Sequence, residues 1–147
     1  MSERFRNPPP EEIRILLERV RTIAVIGLSA SPFRPSHGVA KALQGFGYRI
    51  IPVNPELDRV LGERAYPELR AVPEPVDLVD VFRASEHVAG IVADCIALNL
   101  PAVWLQDGVI DEPAAQRARA AGMTVVMDRC LYRDYLQFLG GRQNGHH

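Results

Sequence analysis

The chain carries almost no net charge. Its 17 lysines and arginines stand against 18 acids, which leaves −1 at neutral pH. That balance weighs against nucleic acid, whose phosphates call for a basic excess. It weighs equally against a polybasic contact with a membrane. A small anionic ligand is still compatible, because a few local cations suffice for one. Only two cysteines occur, Cys95 and Cys130. They form no C-x-x-C pair and no cluster with histidine, so no disulfide or metal site is implied. A reducing cytoplasm is the expected compartment. No apolar run is long enough to span a bilayer. Met1 to Pro10 is polar and proline-rich, without an apolar secretory stretch, so no signal peptide is expected, and the first few residues read as a mobile arm.

Nearly half of the 147 residues are apolar, enough for one domain with a real core. The expected division is a single domain over residues 1–140 and a flexible tail over 141–147. Ile13, Leu16, Leu17 and Val20 recur at helical spacing behind Pro8-Pro9-Pro10, which suits a helix start. Five short apolar runs follow: Thr22–Ile26, Tyr48–Val53, Asp77–Phe82, Ala102–Leu105 and Met123–Met127. Helical patterns separate most of them, over Ser36–Gly45, Ser85–Leu98 and Asp111–Ala121. A closing helix is expected over Tyr132–Leu139. The stretch Glu56–Pro75 is irregular, with a short helix near Glu68–Ala71. Such alternation predicts an α/β fold, a doubly wound, Rossmann-like parallel sheet of about five strands with helices on both faces. The expected strand order is 3-2-1-4-5, with ligand at the carboxyl ends of the strands.

The first strand-to-helix loop reads Gly27-Leu28-Ser29-Ala30-Ser31-Pro32-Phe33-Arg34-Pro35-Ser36. Gly27 permits a sharp turn and close approach of a ligand. The serines offer hydroxyls, the following helix offers free N–H groups, and Arg34 offers a fork suited to phosphate. An ordinary loop with Ser36 as a helix cap is the alternative. The dinucleotide fingerprint G-x-G-x-x-G is unmatched, since Ser29 and Pro32 stand where its second and third glycines would. Asn54 replaces the usual ribose-binding acid after the second strand, so a conventional NAD site is disfavoured. Asp77, Asp80, Asp107 and Asp111 are scattered and form no acid–base pair.

Six segments then form a recognisable set: Ala24-Val25-Ile26-Gly27-Leu28-Ser29, Arg34-Pro35-Ser36, Ile51-Pro52-Val53-Asn54-Pro55, Val79-Asp80-Val81-Phe82-Arg83, Val103-Trp104-Leu105-Gln106-Asp107-Gly108 and Val126-Met127-Asp128-Arg129-Cys130. Together they resemble the stand-alone bacterial CoA-binding domain proteins. These are similar to the N-terminal CoA-binding domain of the succinyl-CoA synthetase alpha subunit. The resemblance implies coenzyme A as the ligand and no reaction of the chain's own. It implies that Gly27, Ser29, Ala30, Ser31, Arg34 and Ser36 surround the pyrophosphate. Val53, Asn54 and Pro55 would contact the adenosine end, Phe82 and Arg83 would close the nucleotide side, and Gln106 and Gly108 would flank the pantetheine arm. Glu56 departs from the lysine common in relatives, which leaves Arg59, Arg83 or Lys41 to hold the 3′-phosphate, with Arg83 preferred.

Trp104 is expected in the core. His37 is either a phosphate donor or solvated. Cys130 is expected as a packed thiol, with a mixed disulfide to the CoA thiol as the other possibility. The leading function is a CoA or acyl-CoA carrier, sensor or regulator, acting on a partner enzyme. The alternative is an NAD(P)-binding or acyl-CoA-handling enzyme component whose site a partner completes.

Overall fold

The computed structural model describes residues 4–143. Five helices and seven strands follow in the order α1 (Pro10–Arg19), β1 (Thr22–Ile26), α2 (Pro35–Gly45), β2 (Arg49–Val53), β3 (Arg59–Val60), β4 (Glu63–Arg64), β5 (Leu78–Val81), α3 (Val88–Ala97), β6 (Ala102–Leu105), α4 (Glu112–Ala120), β7 (Thr124–Met127) and α5 (Leu131–Gln143). Short 3₁₀ turns lie at Leu69–Ala71 and Ser85–His87. None of the described helices is long and apolar enough to cross a membrane.

The main sheet is parallel and five-stranded, in the order β2-β1-β5-β6-β7. The fold class is therefore the expected Rossmann-like α/β sheet. The strand order is not. Counting the five long strands along the chain, it is 2-1-3-4-5 rather than 3-2-1-4-5. The outer edge of β2 explains the difference. Pro52 has no N–H to donate there, which suits an edge strand. Its carbonyl accepts from the Tyr66 N–H at 3.0 Å, and the Tyr66 carbonyl accepts from Asn54 N–H at 2.8 Å. The hairpin β3–β4, turned by Leu61 (φ 54°) and Gly62 (φ 77°), leads the chain back along that edge. No place remains there, so β5 crosses to the far side of β1. The ligand crevice moves with it, to the switch point between β1 and β5.

Strand alternation sorts the core into two layers. Ala24, Ile26, Val79, Val81, Val103 and Leu105 face α3 and α4. Ile23, Val25, Leu78 and Trp104 face α1, α2 and α5. Both faces are covered, so the strands read as continuous apolar runs. Trp104 is fully buried, as expected, and its indole N–H donates to the Arg129 carbonyl at 2.8 Å.

Near both ends the described residues depart from expectation, while 1–3 lie outside them. Residues 4–9 are docked. The Asn7 side chain donates to the Met127 carbonyl at 2.9 Å and accepts from the Met127 N–H at 2.7 Å, capping the free edge of β7. Phe5 lies under the Arg119 guanidinium, 4.1 Å from its ring centre. The closing helix α5 continues through Gly140 to Gln143 instead of stopping at Leu139. The rest of the expected tail, 144–147, lies outside the described residues.

One side chain breaks the apolar rule. Asp80 sits mid-strand on β5, opposite Val25 and Trp104, with no exposure and no partner for either carboxylate oxygen. Burial pushes its carboxyl well above the usual range. An unfolded aspartate ionises above about pH 4. The folded chain therefore holds the extra proton from that pH up to the raised folded value, and stability falls as pH rises through that window. Asp80→Asn cannot ionise. Thermal scans should show the variant gaining on the parent between pH 5 and pH 8, on the order of a few degrees for each 1 kcal/mol. A gap that stays constant with pH would refute the buried neutral acid.

Candidate functional site

The sheet ladder runs one residue past the strands and fixes the crevice from below. Gly27 N–H donates to the Val53 carbonyl at 2.9 Å, Phe82 N–H to the Ile26 carbonyl at 2.9 Å, and Gln106 N–H to the Val81 carbonyl at 3.3 Å. Each of these residues leaves its strand with a position set by the neighbouring strand rather than by a flexible loop.

Gly27 is the tightest point. Its φ is +86°, and a Cβ built there would meet the Phe82 carbonyl oxygen at 2.3 Å and the Arg83 Cδ at 3.0 Å. No side chain fits. The β1 turn and the β5 turn thus touch backbone to backbone, and cavities open on either side.

The first cavity, about 510 Å³, lies between the end of β2 and α3. Val53, Asn54, Pro55 and Arg83 line it as expected, together with Glu56. The Asn54 amide donates to the Leu28 carbonyl at 3.0 Å, and its oxygen accepts from the Glu56 N–H at 2.9 Å. One side chain therefore ties the β2 turn to the β1 turn and shapes the path of Glu56. Glu68, Leu69, Ile91 and Asp94 complete the wall. The sequence reading missed them. Leu69 and Glu68 belong to the irregular stretch, and Ile91 and Asp94 are ordinary helix positions without a motif.

The second cavity, about 530 Å³, lies on the α2 side. Ser29, Arg34, Ser36, Phe82 and Gln106 line it, with Gly27 shared between the two. Ala30, Ser31 and Gly108 line neither cavity. Phe82 and Arg83, expected to act together, are separated because successive strand-end residues point to opposite faces. Asp107, Val109 and Cys130 are further lining residues outside the expected ligand set. The Cys130 thiol is nearly buried, at 8% exposure, just before α5.

The serines do a different job from capping. Arg34, not Ser36, is the residue before α2, and no side chain caps that helix. Ser36 instead accepts from Ser29 N–H at 3.0 Å, and the Ser29 hydroxyl accepts from Ser31 N–H at 3.0 Å. Two hydroxyls thus brace the loop, while the His37 and Gly38 N–H groups donate to the Arg34 carbonyl at 3.1 and 3.3 Å and Pro35 has none, which leaves Ser36 N–H as the free donor of the first turn. The aspartates resolve in the same way. Asp77 accepts from the N–H groups of Arg21 and Thr22, at 3.0 and 2.9 Å, and Asp111 caps α4 through Ala114 N–H. Asp107 forms a bidentate pair with Arg133, at 2.7 and 2.8 Å, which holds its carboxyl below the usual range. Among the described residues no group of His, Cys, Asp and Glu could hold a metal ion. His37 lines neither cavity.

The side chains of Arg34 in the second cavity and Arg83 in the first have no hydrogen bond or ion pair to other described residues. Most arginines elsewhere are engaged, for example Arg49 with Glu63 and Glu74, Arg70 with Asp94 and Arg129 with Asp134.

Gly27→Ala should combine a positive-φ cost with a backbone clash, a loss of about 2–5 kcal/mol in denaturant unfolding. Gly108→Ala is the control. Its φ is +76° but nothing lies within 4 Å of a new Cβ, so a loss of only about 1 kcal/mol is expected. Equal losses at both positions would mean that the approach of Gly27 to Phe82 does not constrain the fold.

Residues 21–135 match the family model described as a CoA binding domain. Among curated proteins, the uncharacterized protein YneT of Bacillus subtilis is 44% identical over 127 residues, covering 86% of this chain and 94% of YneT. A solved hypothetical protein from Pyrococcus horikoshii is 33% identical with a TM-score of 0.88, covering 95% of this chain and 100% of that one. The ADP-forming acetate–CoA ligase II of Archaeoglobus fulgidus is 30% identical over 95 residues. That match covers 63% of this chain but only 14% of the ligase. On sequence and fold together, the chain belongs to the CoA-binding domain family.

Proposed function

We propose that the chain binds coenzyme A across the two cavities and acts as a carrier, sensor or regulatory module without chemistry of its own. The observation that carries this reading is the pair of cavities meeting at Gly27, each with one unpaired arginine. A nucleotide with a pyrophosphate needs a side-chain-free turn, helix N–H groups and a cation at its centre. Gly27, the Ser36 N–H at the start of α2 and Arg34 supply them. The adenosine end then enters the cavity of Val53, Asn54 and Pro55. The pantetheine arm follows the groove past Phe82 and Gln106. In this arrangement Ser29 and Ser36 stiffen the pyrophosphate loop, while Ala30, Ser31 and Gly108 shape the chain without lining the cavity.

The one acid lining the arm's cavity suits a site without acid catalysis. Asp107 is held ionised by Arg133 and makes a poor proton donor near neutral pH. Partner enzymes fit the same reading, because a domain like this one forms a small part of a longer acetate–CoA ligase. An enzyme component completed by such a partner is the second reading.

Calorimetric titration tests the proposal. CoA should bind at micromolar concentration or below, with NAD much weaker. Arg34→Ala should weaken CoA about ten- to a hundredfold, as expected for losing a charged hydrogen bond. The affinity should also fall as salt rises. Equal binding of NAD and CoA, or no binding of either, would sink the CoA reading and leave the fold untouched.

A further inference from the structure

The two cavities differ in charge, and the difference bears on which form of the ligand the site takes. In the second cavity Arg34 is unpaired and Asp107 is neutralised by Arg133. The first cavity is the reverse. Glu56, Glu68 and Asp94 line it together with one arginine, Arg83. Arg70 neutralises Asp94 through contacts of 3.1 and 3.2 Å. Two free-standing carboxylates then oppose one cation, at the end where the adenosine ribose would lie. The stem of Arg83 also passes against Gly27, so its charge sits near the junction of the cavities, beside the pyrophosphate turn.

A 3′-phosphate would bring a dianion into this wall. Carboxylates repel it and offer it no proton, whereas they accept hydrogen bonds from ribose hydroxyls. An acid on a ribose hydroxyl is a common device of nucleotide folds where no ribose phosphate is wanted. Here Glu56 stands two residues past Asn54, with its backbone fixed by the Asn54 side chain.

We propose that this cavity is selective for an adenosine ribose with a free 3′-hydroxyl. Dephosphorylated CoA, the pantetheine ester of adenosine diphosphate, then binds at least as tightly as CoA, and Glu56 is the residue that sets the preference. The proposal rests on the CoA-type reading of the site and specifies its nucleotide end.

The experiment is a parallel calorimetric titration with CoA and 3′-dephospho-CoA at one fixed salt concentration. The parent should bind the dephosphorylated form several-fold to about tenfold more tightly than CoA. Glu56→Lys should tighten CoA about tenfold and weaken 3′-dephospho-CoA, whose ribose hydroxyl loses its acceptor. Glu56→Gln should move CoA in the same direction by less. Glu56 is exposed, and thermal scans of each variant confirm that folding is intact. A parent that binds CoA at least about tenfold more tightly than the dephosphorylated form, with Arg83→Ala abolishing the difference, overturns the proposal and keeps the CoA reading. Failure of both ligands to bind overturns both together, so the two failures are told apart.

Discussion

The contact between Gly27 and the Phe82 carbonyl governs the rest of the site. Strands β1 and β5 pair along their length, from Ile23 opposite Leu78 to Ile26 opposite Val81. They bring their two exit turns so close that one must lack a side chain. This puts a bare backbone turn at the centre of the crevice, where a ligand can approach closely. It also fixes which loops can share a ligand. The β2 and β6 turns flank the central pair, held by Gly27 N–H on one side and Gln106 N–H on the other. A one-residue slip between β1 and β5 would exchange the faces of every β5 side chain. The ladder that buries the core therefore also sets the geometry of the crevice.

Much of this was legible in the residues. The alternation of apolar runs and helical patterns identified the five parallel strands, because strands buried on both faces have no polar alternation to confuse them. It also placed the ligand at their carboxyl ends. Ten of the thirteen candidate ligand residues line a cavity, since they stand at strand exits where the ladder holds them. The strand order was not legible. It depends on Tyr66 closing the outer edge of β2, a long-range pairing inside a stretch with no periodic pattern. The docked arm escaped for a related reason. Asn7 meets Met127 across 120 positions of sequence, and a polar segment gives no local sign of such a partner. The caps misled as well. Ser36 looks like an N-cap in sequence, yet its hydroxyl turns back to Ser29.

The unpaired groups separate structure from function more cleanly than any motif. Arg129 holds Asp134, Arg133 holds Asp107 and Arg70 holds Asp94, so these charges are largely satisfied within the chain. The exposed pairs of Arg133 with Asp107 and Arg70 with Asp94 add little to stability, but they cancel fields near the crevice. What remains is Arg34 on one side of Gly27, and Arg83 with Glu56 and Glu68 on the other. Those residual charges are what an incoming anion meets.

Asp80 completes the contrast. It is a charged-type residue in the layer that β1, β5 and β6 share with α1, α2 and α5, and neither oxygen has a partner. An apolar residue of similar size would avoid the desolvation cost of the carboxyl. The cost is borne two residues before Phe82, on the same face of β5, in the strand whose exit forms half of the central contact. Among the described residues the non-glycine positive φ values fall outside the strands, at Leu61, Asn99 and Asp128. The buried acid is therefore the one departure from consistent patterning that lies within the sheet, directly beneath the turn on which the crevice is built.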